Sequence, residues 1–188
     1  MSRWEPGAAE RLQAAALELF VEHGFADVTV PQITARAGLT TRTFFRHFAD
    51  KREVLFAGEE AVPPVITRFF AEAPAGLSTM RLIEQGLCEV VAPRFAGLRD
   101  HLRVRREVIR SDEGLREREL RKGALIAEAG AAGFRARGLS ELEAVMAAQL
   151  AATIIGTAVG RWLDEPQERP LTDIVRETMT AVTTVVQQ

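Results

Sequence analysis

Thr40, Thr41, Arg42, Thr43, Arg46 and His47 crowd into one short stretch, and their side chains suit the edges and phosphates of a nucleic-acid duplex. A guanidinium such as that of Arg42 can donate two hydrogen bonds together to guanine O6 and N7, a pairing that discriminates by about 1–3 kcal/mol. Thr41 and Thr43 are short enough to lie close to bases, through the hydroxyl or through methyl contact with thymine. Thr40, His47 and Lys51 are better placed for phosphates, which set position rather than sequence preference. Between positions 36 and 52 the cations Arg36, Arg42, Arg46, Lys51 and Arg52 face only Asp50. The whole chain carries a formal net charge of −2, so a DNA-binding role requires this kind of local concentration. Taken singly, Arg36, Arg46 and Arg52 read as solvated surface charges.

The elements that would position these groups are two short helices and a tight turn. Thr29 can cap a helix from Val30 to Ala37, and Gln32 stands three residues on, where a capping box takes Glu or Gln. Gly38 supplies a left-handed residue to end that helix. Thr40 can cap the next helix, Thr41 to Phe48, with Phe44, Phe48 and Leu55 spaced to anchor it and Leu39 filling the turn. Two short helices joined this way form a helix-turn-helix, whose second helix enters the major groove. Thr29 and Gln32 would then hold the backbone of the opposite strand. Lys51 opens what reads as a fourth helix, whose free N–H groups attract phosphate.

The same stretch resembles the DNA-reading segment of the TetR family of transcriptional repressors. The residues carrying the resemblance run from Gly38 through Phe48, then Asp50-Lys51 and Leu55. Upstream they include Ala14 to Phe20, His23-Gly24-Phe25, Thr29-Val30 and Ile33 to Gly38. The resemblance covers roughly residues 9 to 58 and implies the same DNA-contacting roles, with one departure. The family commonly has a tyrosine where this chain has Phe45, and that hydroxyl often meets a phosphate. Phe45 cannot, and is left to pack on sugar or a thymine methyl.

Helical periodicity prevails along all 188 residues, giving an all-α expectation of about nine helices with short connections. The first runs to about Glu22 from near Pro6, with an apolar stripe of Leu12, Ala16, Leu19, Phe20 and His23. A fourth begins near Asp50 and is broken or kinked by Pro63-Pro64. Ser78 caps the fifth, and Pro93 kinks or ends it. The sixth covers Leu98 to Arg110, the seventh Leu115 to Arg137, and the eighth, capped by Ser140, Glu141 to Asp164. Thr172 caps the ninth. The expected division is a three-helix DNA-binding domain at 1–55 and a larger helical ligand-binding and dimerisation domain at 56–188.

One reading helix spans only a few base pairs, so a two-fold dimer on a near-palindromic duplex is expected. The eighth helix places Ala144, Ala148, Ala152, Gly156 and Gly160 at four-residue intervals, a smooth ridge that another backbone could approach. The ninth gathers Leu171, Ile174, Val175, Thr178, Val182, Val185 and Val186 on one side. The family resemblance implies dimerisation through the last two long helices as a four-helix bundle. It also implies a small-molecule effector held in the larger domain that depopulates the DNA-competent state. Candidate lining residues are Ile66, Phe69, Phe70, Ile83, Leu87, Val91, Phe95, Val104, Val108, Leu125 and Ile126. Arg99, Arg103, Arg106 and Arg110 stripe the sixth helix. They read as a solvated face paired with neighbouring glutamates, or alternatively as a seat for an anionic effector such as an acyl-thioester of coenzyme A or as a salt-bridge contact with the reading head.

Apolar residues are 47% and charged residues 27% of the chain, a globular composition that excludes a disordered chain. The single cysteine, Cys88, permits no intrachain disulfide and sits in an apolar helical stretch as a small hydrophobe. No metal-ligand spacing, Gly-rich phosphate loop or nucleophile motif stands out, so neither cofactor, metal nor catalytic residue is expected. No apolar run reads as a membrane span and the N-terminus lacks a signal-peptide core, so a cytoplasmic protein with no membrane partner is expected. The competing readings are a helical protein-interaction module and an enzyme without a recognisable motif.

Overall fold

The computed structural model describes residues 7–167 and 169–187. Among them the chain is all-helical, with nine α-helices and no strand. These are α1 (Ala8–His23), α2 (Val30–Arg36), α3 (Thr41–His47), α4 (Val62–Glu72), α5 (Thr79–Gln85), α6 (Arg99–Ser111), α7 (Glu113–Ala136), α8 (Glu141–Asp164) and α9 (Leu171–Gln187). Contacts cluster into two compact units, 1–60 with 101–120 and 61–100 with 121–188.

The first unit is built on the stripe of α1. Leu12, Ala16, Leu19 and Phe20 are buried at three- and four-residue spacing and meet Ile33 of α2, Phe44 of α3, and Ile109 and Leu115 from α6 and α7. His23, expected at the end of that stripe, is exposed beside Glu22. Pro6 lies outside the described residues. Gly38 has φ +64°, the left-handed conformation that closes α2. A carbonyl freed at that end, on Ala37, accepts from the Arg11 guanidinium at 2.5 Å. The helix expected from Asp50 does not form. The chain makes short 3-10 turns over Glu53–Phe56 and Glu59–Ala61 instead. α4 begins only at Val62, with proline in its first turn. Pro63-Pro64 therefore opens a helix rather than kinking one, because a first-turn N–H has no intrahelical hydrogen bond to lose.

In the second unit α8 packs against α9. Ser140 caps α8, and the Glu143 carboxylate accepts from the Ser140 N–H at 2.9 Å and from its hydroxyl at 2.6 Å. Those bonds hold the Glu143 pKa below the usual carboxylate range. By length and composition α8 can cross a membrane, with a mean hydropathy of 1.6 over its most apolar window, contrary to the sequence expectation. Ala144, Ala147, Ala148, Ile154, Ala158 and Trp162 are buried in the unit, so its apolar character also serves a core. α5 gives way at Gly86 to a π-turn through Val91 and a 3-10 turn over Ala92–Phe95, where Pro93 sits in the first turn. α9 starts at Leu171, so Thr172 lies inside the helix rather than capping it. Cys88 is buried, its sulfur 4.0 Å from the Thr172 carbonyl oxygen, and burial pushes its thiol pKa up.

Candidate nucleic-acid interface

The recognition candidate, α3, is anchored on one side and bare on the other. Phe44 is wholly buried and Phe48 nearly so, their rings 5.5 Å apart. At about 100° per residue, Thr41, Phe45, Arg42 and Arg46 fall on one arc of about 140°, whose centre lies about 130° from Phe44. All four are exposed. An open recess of about 470 Å³ is lined by Thr40, Arg42, Thr43, Phe45 and Arg46.

The capping expected from sequence is present in a modified form. The Thr40 hydroxyl accepts from the Thr43 N–H at 3.1 Å, and the two hydroxyls lie 2.9 Å apart. Thr43 is thus half-buried and tied to the cap, leaving Thr41 the freer of the two threonines. At the start of α2, the Gln32 side-chain oxygen accepts from the Thr29 N–H at 2.7 Å and from its hydroxyl at 2.8 Å. Both residues remain exposed.

Four of the five cations divide sharply. Arg36 is held by Glu18 and Glu22 of α1, with its closest contact at 2.8 Å. The hydrogen bond between them lowers the Glu22 pKa and raises that of Arg36. Lys51 donates to the carbonyls of Phe25, Ala26 and Val28 at 2.7, 3.0 and 2.9 Å. An ammonium has three protons, so all its donors close the α1–α2 connection and none is left for a phosphate, contrary to expectation. The desolvation that accompanies this lowers the Lys51 pKa. Arg42 and Arg46 make no ion pair among the described residues. Arg46, which sequence reasoning set aside as a solvated charge, stands one turn below Arg42 in the same recess. Its four-residue spacing from Arg42 was the available signal. His47 is exposed at the end of α3.

The segment after the reading helix is held by an arginine that sequence reasoning passed over. Arg105 of α6 donates from Nε to the Leu55 carbonyl at 2.6 Å and from Nη2 to Glu59 at 2.7 Å, with its guanidinium 5.0 Å over the Phe56 ring. Arg118 of α7 pairs with Glu53, and with Asp50 at 3.4 Å. Asp50 meanwhile accepts from the N–H groups of Arg52 and Glu53. These contacts explain why residues 101–120 belong to the first unit.

The expected effector-lining residues do not all fall in one unit. Val108 is part of the first unit's core and Val104 is exposed there. Leu125 is exposed on α7. Phe70, Ile83 and Leu87 are buried, and Ile66, Phe69, Val91, Phe95 and Ile126 half-buried, in the second unit. Of the whole set only Phe95 lines that unit's open cleft of about 430 Å³, beside Pro93, Trp162, Arg169 and Leu171. The arginine stripe of α6 is largely engaged. Arg99 is buried and donates to the Trp162 carbonyl at 2.8 Å and to that of Glu165, capping α8, while Arg110 pairs with Glu107.

The expected α8 ridge winds. Each four-residue step advances about 40° beyond a full turn, so from Ala144 to Gly160 it travels about 160°. Ala144 and Ala148 are accordingly buried within the chain, Ala152 and Gly156 exposed, and Gly160 half-buried. The exposed face is instead Leu142, Val145, Met146, Gln149, Ala152, Thr153, Gly156 and Thr157. On α9, Leu171, Ile174, Val175 and Thr178 are buried internally, Val182 is half-buried and Val185 exposed. The side chain of Val186 lies outside the described residues.

Residues 12–57 match the family model described as bacterial regulatory proteins, tetR family. The HTH-type transcriptional regulator TcmR of Streptomyces glaucescens is 39% identical over 67 residues, a stretch that is 36% of this chain and 30% of that relative. Among solved structures, the TetR-family repressor FadR of Thermus thermophilus, in complex with lauroyl-CoA, superposes with a TM-score of 0.57 at 21% identity, covering 93% of each chain. SmeT in complex with triclosan gives 0.61 at 22%, covering 96% of this chain and 90% of that one. These likenesses carry the helical architecture over more than nine-tenths of the chain. The sequence relationship is concentrated in the helix-turn-helix.

Proposed function

We propose, from the match of residues 12–57 to the tetR family of bacterial regulatory proteins, that this chain is a dimeric, sequence-specific DNA-binding transcriptional regulator. In this reading it is a cytoplasmic repressor, released from a near-palindromic operator by a small-molecule effector. The observation that carries the reading is the pair Arg42 and Arg46. Both are exposed and unpaired on a helix whose opposite side is locked by buried phenylalanines. A stiff helix with bare guanidiniums is what major-groove reading needs. DNA contact is assigned to Thr29, Gln32, Thr40, Thr41, Arg42, Phe45, Arg46 and His47. Residues 1–55 form the reading domain, supported by 101–120, and the remainder holds effector and dimer contacts.

Dimerisation is assigned to the exposed face of α8. Leu142 is 73% and Met146 62% exposed, and a Cβ built on Gly156 or Gly160 meets nothing within 4 Å. An apolar strip with two glycines suits close approach of a second copy about a two-fold axis. For the effector, engagement of the α6 arginines argues against that stripe as an anion seat. The region around Phe69, Phe70 and Leu87 is the better site. A ligand there acts by favouring the state that does not bind DNA.

The test is selection of duplexes from a random pool by the full-length protein. An inverted repeat is expected, with half-site centres about 10 base pairs or a multiple apart. Affinity for it falls steeply with salt. A chain that enriches no sequence at low ionic strength overturns the proposal in favour of a protein-interaction module.

A further inference from the structure

The reading helix carries one side chain that charge and hydrogen bonding do not explain. Five phenylalanines of the first unit, Phe20, Phe25, Phe44, Phe48 and Phe56, are at most 5% exposed, whereas Phe45 is 56% exposed. It is not loose. Its ring meets Phe44 edge-on, with centroids 5.4 Å apart at 82°, so the wholly buried Phe44 fixes where it projects. By azimuth it stands between Thr41 and Arg42, inside the exposed arc, and it lines the recess with Arg42 and Arg46.

An aromatic ring without a hydroxyl neither donates nor accepts, so phosphates and base heteroatoms give it nothing. The apolar groups a major groove offers are the C5-methyl of thymine and the sugar edges, and the methyl alone differs between base pairs. Resting on the operator-binding reading above, we propose that Phe45 is a specificity-determining residue that reads a thymine methyl. Phe45 lies three residues beyond Arg42, about 4.5 Å along the helix. The base step is about 3.4 Å. The thymine it reads is therefore one or two base pairs from the guanine that Arg42 reads, once in each half-site.

The experiment uses the full-length protein and the duplex it selects from a random pool. Each thymine is replaced singly, in both half-sites, by deoxyuridine, which removes the C5-methyl and keeps the pairing. One symmetric position within two base pairs of the guanine assigned to Arg42 is expected to lose about three- to fivefold in affinity per half-site, the worth of one buried methyl. In Phe45→Ala that penalty vanishes, while penalties for altering the guanine persist. Phe45→Leu, which keeps an apolar side chain, retains part of it, and guards against misfolding of the alanine variant. Uniform deoxyuridine effects in wild type and both variants, or a selected site with no thymine there, overturn the assignment and leave Phe45 against sugar. A wild-type protein that selects no duplex defeats the operator-binding reading itself, a result distinct from either.

Discussion

The Nε of Arg105 lies 2.6 Å from the carbonyl oxygen of Leu55, fifty residues earlier in the chain. The same guanidinium also reaches Glu59 and covers Phe56, and its side chain is only 15% exposed. A planar, pre-organised fork satisfies a carbonyl, a carboxylate and a ring face with less freedom lost per hydrogen bond than an ammonium on a flexible stem. Arg105→Ala is expected to lower unfolding stability by about 1.5–3 kcal/mol, the range for a hydrogen bond to a charged group. Arg105→Lys should recover less than half of it. Urea denaturation measures both. A loss under 0.5 kcal/mol, the ordinary surface value, would show that the contact is incidental.

Lys51 separates two roles that are easily confused. With all three protons on the carbonyls of Phe25, Ala26 and Val28, Lys51→Met is expected to cost about 2 kcal/mol of stability. The dependence of operator affinity on salt should keep its slope. A phosphate contact would instead reduce that slope by about one, so titrations at several salt concentrations decide between them.

Gly133 of α7 has no room for a side chain, since a Cβ there stands 2.0 Å from the Phe70 ring. Phe70 is itself held by Phe134, with ring centroids 4.8 Å apart. Gly133→Ala gains helix propensity, about 1 kcal/mol, yet must displace a packed aromatic. We expect a net loss of about 1–3 kcal/mol. A variant that melts at or above the wild-type temperature would mean that the ring moves freely.

Gly156 is the opposite case, with open space around it and a place on the exposed face of α8. Gly156→Leu is expected to leave the protomer folded and slightly more helical, but to shift sedimentation from dimer to monomer. A variant that stays dimeric puts the interface elsewhere.

Much of this was legible in the chain because local rules act locally. Thr40, Gly38, Ser140 and the stripe of α1 each specify a cap, a stop or a buried face within a few residues, and α8 begins at the Ser140 cap and stops just before Pro166. What escaped depends on distant partners. Nothing near Lys51 reveals that Val28 carries its acceptor, and nothing near Arg105 reveals Leu55. The prolines at 63 and 64 fit either a break or a beginning, and only the 3-10 turns before them decide. The α8 ridge failed for a geometric reason. A four-residue interval looks like one face over two steps and winds off it over four.

The most direct measurement is the affinity of Arg42→Ala, against wild type, for the selected duplex and for versions with each guanine replaced. The account predicts a loss of about 1–3 kcal/mol on the selected duplex. It also predicts indifference of the variant to one guanine in each half-site that wild type requires. Equal affinity and an unchanged base preference in the two proteins would contradict it.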